Sequence, residues 1–215
     1  MQTPVLFIIG HPQHGKTSLR KALEKLTHLK GASCSDVVYH FLALRGNTSV
    51  DALKLLPKEE FRPKLMEAGD FLVGKLDKMQ ETAAKEGVDE VMYRIPSALI
   101  RTLYMSGYNL IDGVRRREEL ASARDHLDWN GVPSKVVWVE RPGHEIIPDN
   151  NELAANDADA IVLNDGTIEE IDQKAFEVLE KLFGPQPDLQ KPVEVVEPEN
   201  LAKRVAAATA AEAAA

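Results

Sequence analysis

Residues 10–17 read Gly10-His11-Pro12-Gln13-His14-Gly15-Lys16-Thr17, two glycines separated by four residues and followed by a lysine and a hydroxyl side chain. The run before them, Pro4-Val5-Leu6-Phe7-Ile8-Ile9, is apolar without alternation, as expected of a strand buried on both faces. After them, Ser18 to Leu26 places Leu19, Leu23 and Leu26 at helical spacing. A strand that turns through glycines straight into a helix confines the chain to an α/β architecture, because a strand buried on both faces needs helices over each. The turn also creates a ligand site. Its main-chain N–H groups and the helix N-terminus together favour an anion. Lys16 adds a point charge suited to β- and γ-phosphates, and the Thr17 hydroxyl is a ligand suited to Mg²⁺. The strand–loop–helix context gives the pattern its specificity. A nucleoside triphosphate gripped by Gly10, His11, Pro12, Gln13, His14, Gly15, Lys16, Thr17 and Ser18 is the expectation.

The chain has 215 residues, enough for one α/β domain with a full core. No apolar run approaches the roughly 20 residues needed to span a bilayer. No basic segment precedes Pro4 to Ile9, so this run reads as a core strand rather than a signal peptide, and a cytoplasmic location without membrane association is expected. Cys34 is the single cysteine, which excludes an internal disulfide framework and Cys-based zinc sites. A net charge of −8 argues against a broad electrostatic grip on nucleic acid, although the cluster Arg115-Arg116-Arg117 leaves room for a local basic cleft.

Strand and helix patterns alternate along the chain, predicting a parallel sheet flanked by helices. A helix is expected over 35–44 with Ser35 or Asp36 at its start, then a short helix through Leu56 capped by Thr48 or Ser49. Helical patterns follow over 57–87 and 96–105, closed by Gly107. Tyr108 to Asp112 reads as the second buried strand, Arg115 to Trp129 as an amphipathic helix, Lys135 to Glu140 as the third strand, and 141–157 as a polar, irregular arm. Ala160 to Asn164 is a fourth strand, and a closing helix runs from Thr167 to Phe183, with Thr167 and Glu170 in capping-box spacing. From Gly184 the chain becomes Pro-rich and then Ala-rich, so the expected division is a domain over 1–183 and a disordered tail over 184–215.

Strand ends carry the second set of candidates. Leu110-Ile111-Asp112 is an apolar strand ending in a carboxylate, the place from which an acidic side chain reaches Mg²⁺ in P-loop proteins. Arg115 and Arg116 follow on the side of the sheet where α/β ligands bind, Arg115 being nearest the strand end. Arg141 opens the polar arm after the third strand, where it could close over phosphates. Asp36 is a candidate general base on the acceptor side, and equally a helix cap. His11 and His14 could touch phosphate or acceptor; three residues apart on a phosphate loop and without a third ligand near in sequence, they do not read as a metal pair. Trp138 reads as core, and packing is also the better reading of Trp129 and Tyr108.

From residue 4 to residue 183 the sequence resembles the phage deoxynucleoside monophosphate kinases. The resemblance is carried by Ile111-Asp112-Gly113-Val114-Arg115, by Glu140-Arg141-Pro142-Gly143, by Asp149-Asn150-Asn151-Glu152, and by Asp159 to Glu170 with its Asn164-Asp165-Gly166-Thr167 core. Arg62, in Phe61-Arg62-Pro63-Lys64-Leu65 ahead of Gly69-Asp70, resembles the family's acceptor-side helix. The resemblance implies a nucleoside monophosphate kinase-like P-loop fold, ATP as donor, Mg²⁺ and a deoxynucleotide acceptor. It makes Lys16 and Thr17 the triphosphate and metal residues, and Asp112 a support for the metal or the acceptor hydroxyl. Arg115 and Arg141 would neutralise the transferring phosphoryl group, and Arg62 would face the acceptor; read from the residues themselves, Asp36, Arg115 and Arg116 are further acceptor-binding candidates.

Two departures bear on the acceptor. Many of these kinases have aspartate after the loop lysine, where this chain has Thr17, and the acceptor half, 31–107, is compact. A related phage group phosphorylates the hydroxymethyl group of 5-hydroxymethyluracil within DNA, and this acceptor is narrowly preferred to a free deoxynucleoside monophosphate. A homodimer is compatible with either. A GTP switch would carry an N-K-x-D base-reading motif, and the sequence has none.

Overall fold

A computed structural model of the chain describes residues 3–27, 29–57, 60–72, 98–146 and 151–184. Its centre is strand β1 (Val5–Ile9), buried at every position. Consecutive side chains of a strand point to opposite faces, so β1 feeds two cores. Val5, Phe7 and Ile9 join one hydrophobic cluster, and Leu6 and Ile8 join the other. The unbroken apolar run is therefore what a two-sided position requires.

Five strands form one parallel sheet in the order β2-β3-β1-β4-β5, with β2 (Gly31–Ser33), β3 (Leu110–Asp112), β4 (Ser134–Glu140) and β5 (Ala160–Leu163). Helices α1 (Lys16–Thr27) and α7 (Ile168–Phe183) cover one face through Leu19, Leu23, Ile171, Ala175 and Val178. The other face is covered by α2 (Cys34–Arg45), α4 (residues 60–72), α5 (Ala98–Met105) and α6 (Arg117–Trp129). A short helix α3 (Val50–Lys54) follows α2, its N-terminus capped by the Ser49 hydroxyl. The fold is thus the expected one, an α/β P-loop fold with a parallel sheet flanked by helices.

Differences from the sequence reading are local. The sheet has five strands rather than four, because Gly31-Ala32-Ser33 pairs with β3 along Leu110 to Asp112. These small residues carry no strand signature, and the glycine has a separate cause. A Cβ on Gly31 would stand 2.7 Å from the Arg20 side chain, so α1 approaches this edge only over glycine. Tyr108 and Asn109 precede β3 rather than belonging to it; Tyr108 is core as expected, whereas Trp129, at the end of its helix, is exposed and not packed as expected. Helix α2 begins one residue earlier, with Ser33 as its cap and Asp36 closing the capping box. Thr167 and Glu170 form the expected box on α7. Within the expected helix over 57–87, residues 60–72 are helical. Residues 73–97 and the expected tail beyond Gly184 lie outside the described residues.

The arm after β4 is more ordered than its polar composition suggests. Leu153 is buried in the main core, and residues 155–157 form a 3₁₀ turn. Arg117 pairs with Asp157 at 2.9 Å and donates to the Glu152 carbonyl at 3.1 Å. Asp159 accepts from the Val136 N–H at 2.8 Å. Residues 151–159 are thereby fastened to α6 and β4.

Candidate active site

The loop between β1 and α1 needs backbone conformations that the sequence supplies. Gly10 and Gly15 have φ of +142° and +98°, and Gln13 has φ of +63°. A non-glycine residue in the left-handed region costs on the order of 1 kcal/mol and persists where the surroundings hold it. At both glycines the space is also taken. A Cβ on Gly10 would lie 2.4 Å from the Val139 carbonyl oxygen, and one on Gly15 would lie 2.2 Å from the Asn164 side-chain nitrogen. Lys16 Nζ reaches back over the loop and donates to the Gly10 and His11 carbonyls, each at 2.7 Å. The lysine thus stands over the concave side of the loop, at the opening of α1. Pro12 is half-buried, while the Gln13, Thr17 and Ser18 side chains are exposed. The cradle is of a kind that suits a triphosphate, and the Thr17 hydroxyl in the first turn would be a suitable ligand for a metal ion. Among the described residues no group of three or more His, Cys, Asp and Glu could itself hold a metal.

The ends of β2 and β3 bring distant candidates together. Asp112, in register with Ile8 of β1, is buried, and its Oδ2 accepts from Arg20 Nε at 2.9 Å. Arg20 also reaches Glu24 at 3.4 Å, and Glu24 accepts the Gly31 N–H at 2.8 Å. One chain of contacts therefore ties α1 to both β2 and β3. Gly113 has φ of +85° and lies against Ser33 and Cys34. The buried Cys34 thiol is pushed well up, first by burial and then by Glu119, Asp112 and Asp36, with Arg115 opposing. Burial also raises the Glu119 carboxyl above its ordinary range, despite Arg116 beside it.

Several expected residues are engaged elsewhere. Asp36 accepts the Ser33 N–H at 3.1 Å and pairs with Lys54 at 3.0 Å, so it closes the capping box of α2, whose N-cap is Ser33 rather than the expected Ser35 or Asp36. Arg116 pairs with Asp70 at 2.6 Å, on the same helix as the half-buried Arg62. Arg115 is half-buried, and its carbonyl accepts the Glu152 N–H at 2.8 Å.

On the β4 and β5 side, Arg141 is exposed, and its backbone N–H donates to His14 Nδ1 at 3.1 Å. Asn164 donates to the His14 carbonyl at 3.0 Å. His11 stands edge-on to Trp138 with centroids 5.2 Å apart. His144 supplies a third imidazole near His14, at 5.7 Å. The sequence had offered no such neighbour. Arg20, Asn164 and His144 are the residues that sequence reasoning left without a role. Arg20 carried a signal as a cation three residues past Thr17, bordering the apolar face of α1, and Asn164 one as the strand-end residue of the Asn164-Asp165-Gly166-Thr167 motif.

No family model matches the chain, and no curated protein matches it. Among solved structures, it is similar to a sugar kinase from Janibacter sp. HTCC2649, at 13% identity and a TM-score of 0.40, over 85% of this chain and 97% of that one. It is also similar to the Mycobacterium tuberculosis APS kinase CysC in complex with AMPPNP and APS, at 12% identity and a TM-score of 0.46, over 84% of this chain and 99% of that one. At such identities and scores the site must be read from this chain's own residues. Among the described residues, no helix is long and apolar enough to cross a membrane.

Proposed function

We propose that the protein is an ATP-dependent kinase transferring the γ-phosphate to a deoxynucleotide acceptor. The observation that carries this reading is Lys16 folded over a glycine-shaped loop at the opening of α1, with buried Asp112 at the end of the adjacent strand. Phosphoryl transfer demands little covalent work from a protein; positioning and charge neutralisation supply most of the rate. Lys16 and the loop amides hold the β- and γ-phosphates, and Thr17 and Asp112 are the residues that would hold Mg²⁺. When bound, that ion neutralises charge on the phosphates. Arg115, after β3, and Arg141, after β4, flank the loop and would neutralise the transferring group, with Arg62 and Arg116 on the acceptor side.

The preferred acceptor is the hydroxymethyl group of 5-hydroxymethyluracil in DNA. The sequence resemblance supports it, with Thr17 in place of aspartate. An alcohol acceptor gains from a general base, for which Asp36 is the candidate, while Asp112, paired with Arg20, would support the metal or the acceptor hydroxyl. A free deoxynucleoside monophosphate is the second reading. One observation favours it: both oxygens of Asp36 are occupied, by Ser33 and Lys54, and an ionised phosphate acceptor needs no base.

The test offers γ-labelled ATP and Mg²⁺ with, in parallel, each dNMP, thymine DNA and 5-hydroxymethyluracil DNA. Label on the modified DNA alone supports the first acceptor, and label on a dNMP replaces it with the second. ATP hydrolysis without transfer to any of them overturns the kinase reading.

A further inference from the structure

His14 reaches out of the phosphate loop in two directions. Its carbonyl accepts from Asn164 after β5, and its ring Nδ1 accepts from the N–H of Arg141, the first residue after β4. The ring is 2% exposed and stands edge-on to His11 and His144, at 5.3 and 5.7 Å. An Nδ1 that accepts carries no proton, so the neutral ring bears its proton on Nε2. Nε2 is buried and has no hydrogen-bond partner among the described residues, which leaves the bond to Arg141 as the ring's polar tie. A protonated ring would set Nδ1–H against the Arg141 N–H, donor facing donor.

We propose that His14 is a positioning residue for Arg141, its neutral ring seating the start of the β4 arm on the phosphate loop. The proposal rests on the kinase reading only for the role of Arg141 in transfer; the seating itself is a property of the chain. Loop and arm then move as one unit, so occupancy of the loop by phosphate and placement of the arginine are coupled. The surroundings favour the neutral form. Burial lowers the His14 pKa from 6.5, and His11, His144 and Lys16 lower it further against the opposing Glu140.

The experiment has two arms. In the full-length protein with ¹⁵N-labelled histidine, ring-nitrogen spectra from about pH 5 to 8 report the His14 tautomer. An unprotonated Nδ1 throughout the neutral range is expected, and an Nδ1–H tautomer overturns the proposal. In parallel, His14→Phe keeps the ring and removes the acceptor, while His14→Asn offers an oxygen that does not titrate. The phenylalanine variant should lose amide-exchange protection at Arg141. It should also lose roughly tenfold or more in kcat, with a much smaller change in binding of a fluorescent ATP analogue. The asparagine variant should restore most of both and keep kcat to lower pH than the native protein. Native exchange protection at Arg141 in the phenylalanine variant overturns the proposal. If no acceptor is phosphorylated by the native protein, the kinase reading fails, while tautomer and exchange still decide the role of His14.

Discussion

Arg20 illustrates how one side chain fixes a site without touching its ligand. Its guanidinium meets Asp112 at 2.9 Å with the pair 13% and 4% exposed, and its stem occupies the space that glycine leaves at position 31. Removing one partner of a buried pair costs about 3–5 kcal/mol, because the other charge is left uncompensated. Arg20→Ala is therefore expected to lower unfolding stability by about 3 kcal/mol in denaturant titrations. Arg20→Ala/Asp112→Asn should recover part of that loss; an additive double variant would show that the two do not interact. Such a contact was illegible in the sequence, where the partners stand 92 positions apart. A second residue-scale expectation concerns acid. His14 is held neutral in the folded chain by burial first, whereas in the unfolded chain it takes a proton near 6.5. The unfolded state thus binds more protons in the window below 6.5, and stability rises with pH across it and levels off above. His14→Gln should flatten that slope in urea midpoints measured from about pH 5 to 7.

Among the elements, those with strong local signals were the ones to read in advance. The β1 run and the Thr167–Glu170 box each carry their own cause within a few residues and form as expected, and of the Leu19, Leu23 and Leu26 stripe the first two are buried while Leu26 is exposed. Strand β2 was hidden because its three small residues answer to their surroundings, Gly31 to the Arg20 side chain laid against it and Ser33 to the cap of α2, not to strand propensity. The arm after β4 was read as loose for a related reason. Its fastening comes from Arg117, Asp157 and Asp159, charges that composition alone assigns to solvent. Asp157 is held below its ordinary pKa, chiefly by the Arg117 hydrogen bond. That contribution is present above about pH 4 and lost as pH falls through the lowered value. Arg117→Ala is expected to raise hydrogen exchange across 151–159 while leaving β1 and α1 protected, since exposed pairs hold local rather than global structure. Unchanged exchange there would assign the order of the arm to Leu153 and the Asp159 bonds instead.

At the scale of the molecule, candidates from positions 10–18, 112–115 and 141 converge because every parallel strand delivers its C-terminal end to the same side of the sheet. That convergence was readable from the alternation of strands and helices. The side-chain pairings were not, since a charge finds its partner only once the sheet order is set. Both glycines of the loop and Lys16 act together, so binding of nucleotide should report on the whole arrangement. A ligand that binds only the folded chain stabilises it by about 2.7 kcal/mol at a hundredfold excess over Kd. For a domain of this size each kcal/mol moves Tm by about 2–4 °C, so saturating ATP and Mg²⁺ should raise Tm by roughly 5–11 °C. Lys16→Ala removes the charge that meets the phosphates and leaves the core untouched; it should melt near the native temperature without nucleotide and lose most of the shift. Gly15→Ala would place a Cβ on the Asn164 amide, disturbing the loop itself, and should lower Tm before nucleotide is added. The two variants thus separate the ligand's contact from the loop's shape. A Lys16→Ala protein that kept the full shift would move the triphosphate away from this loop.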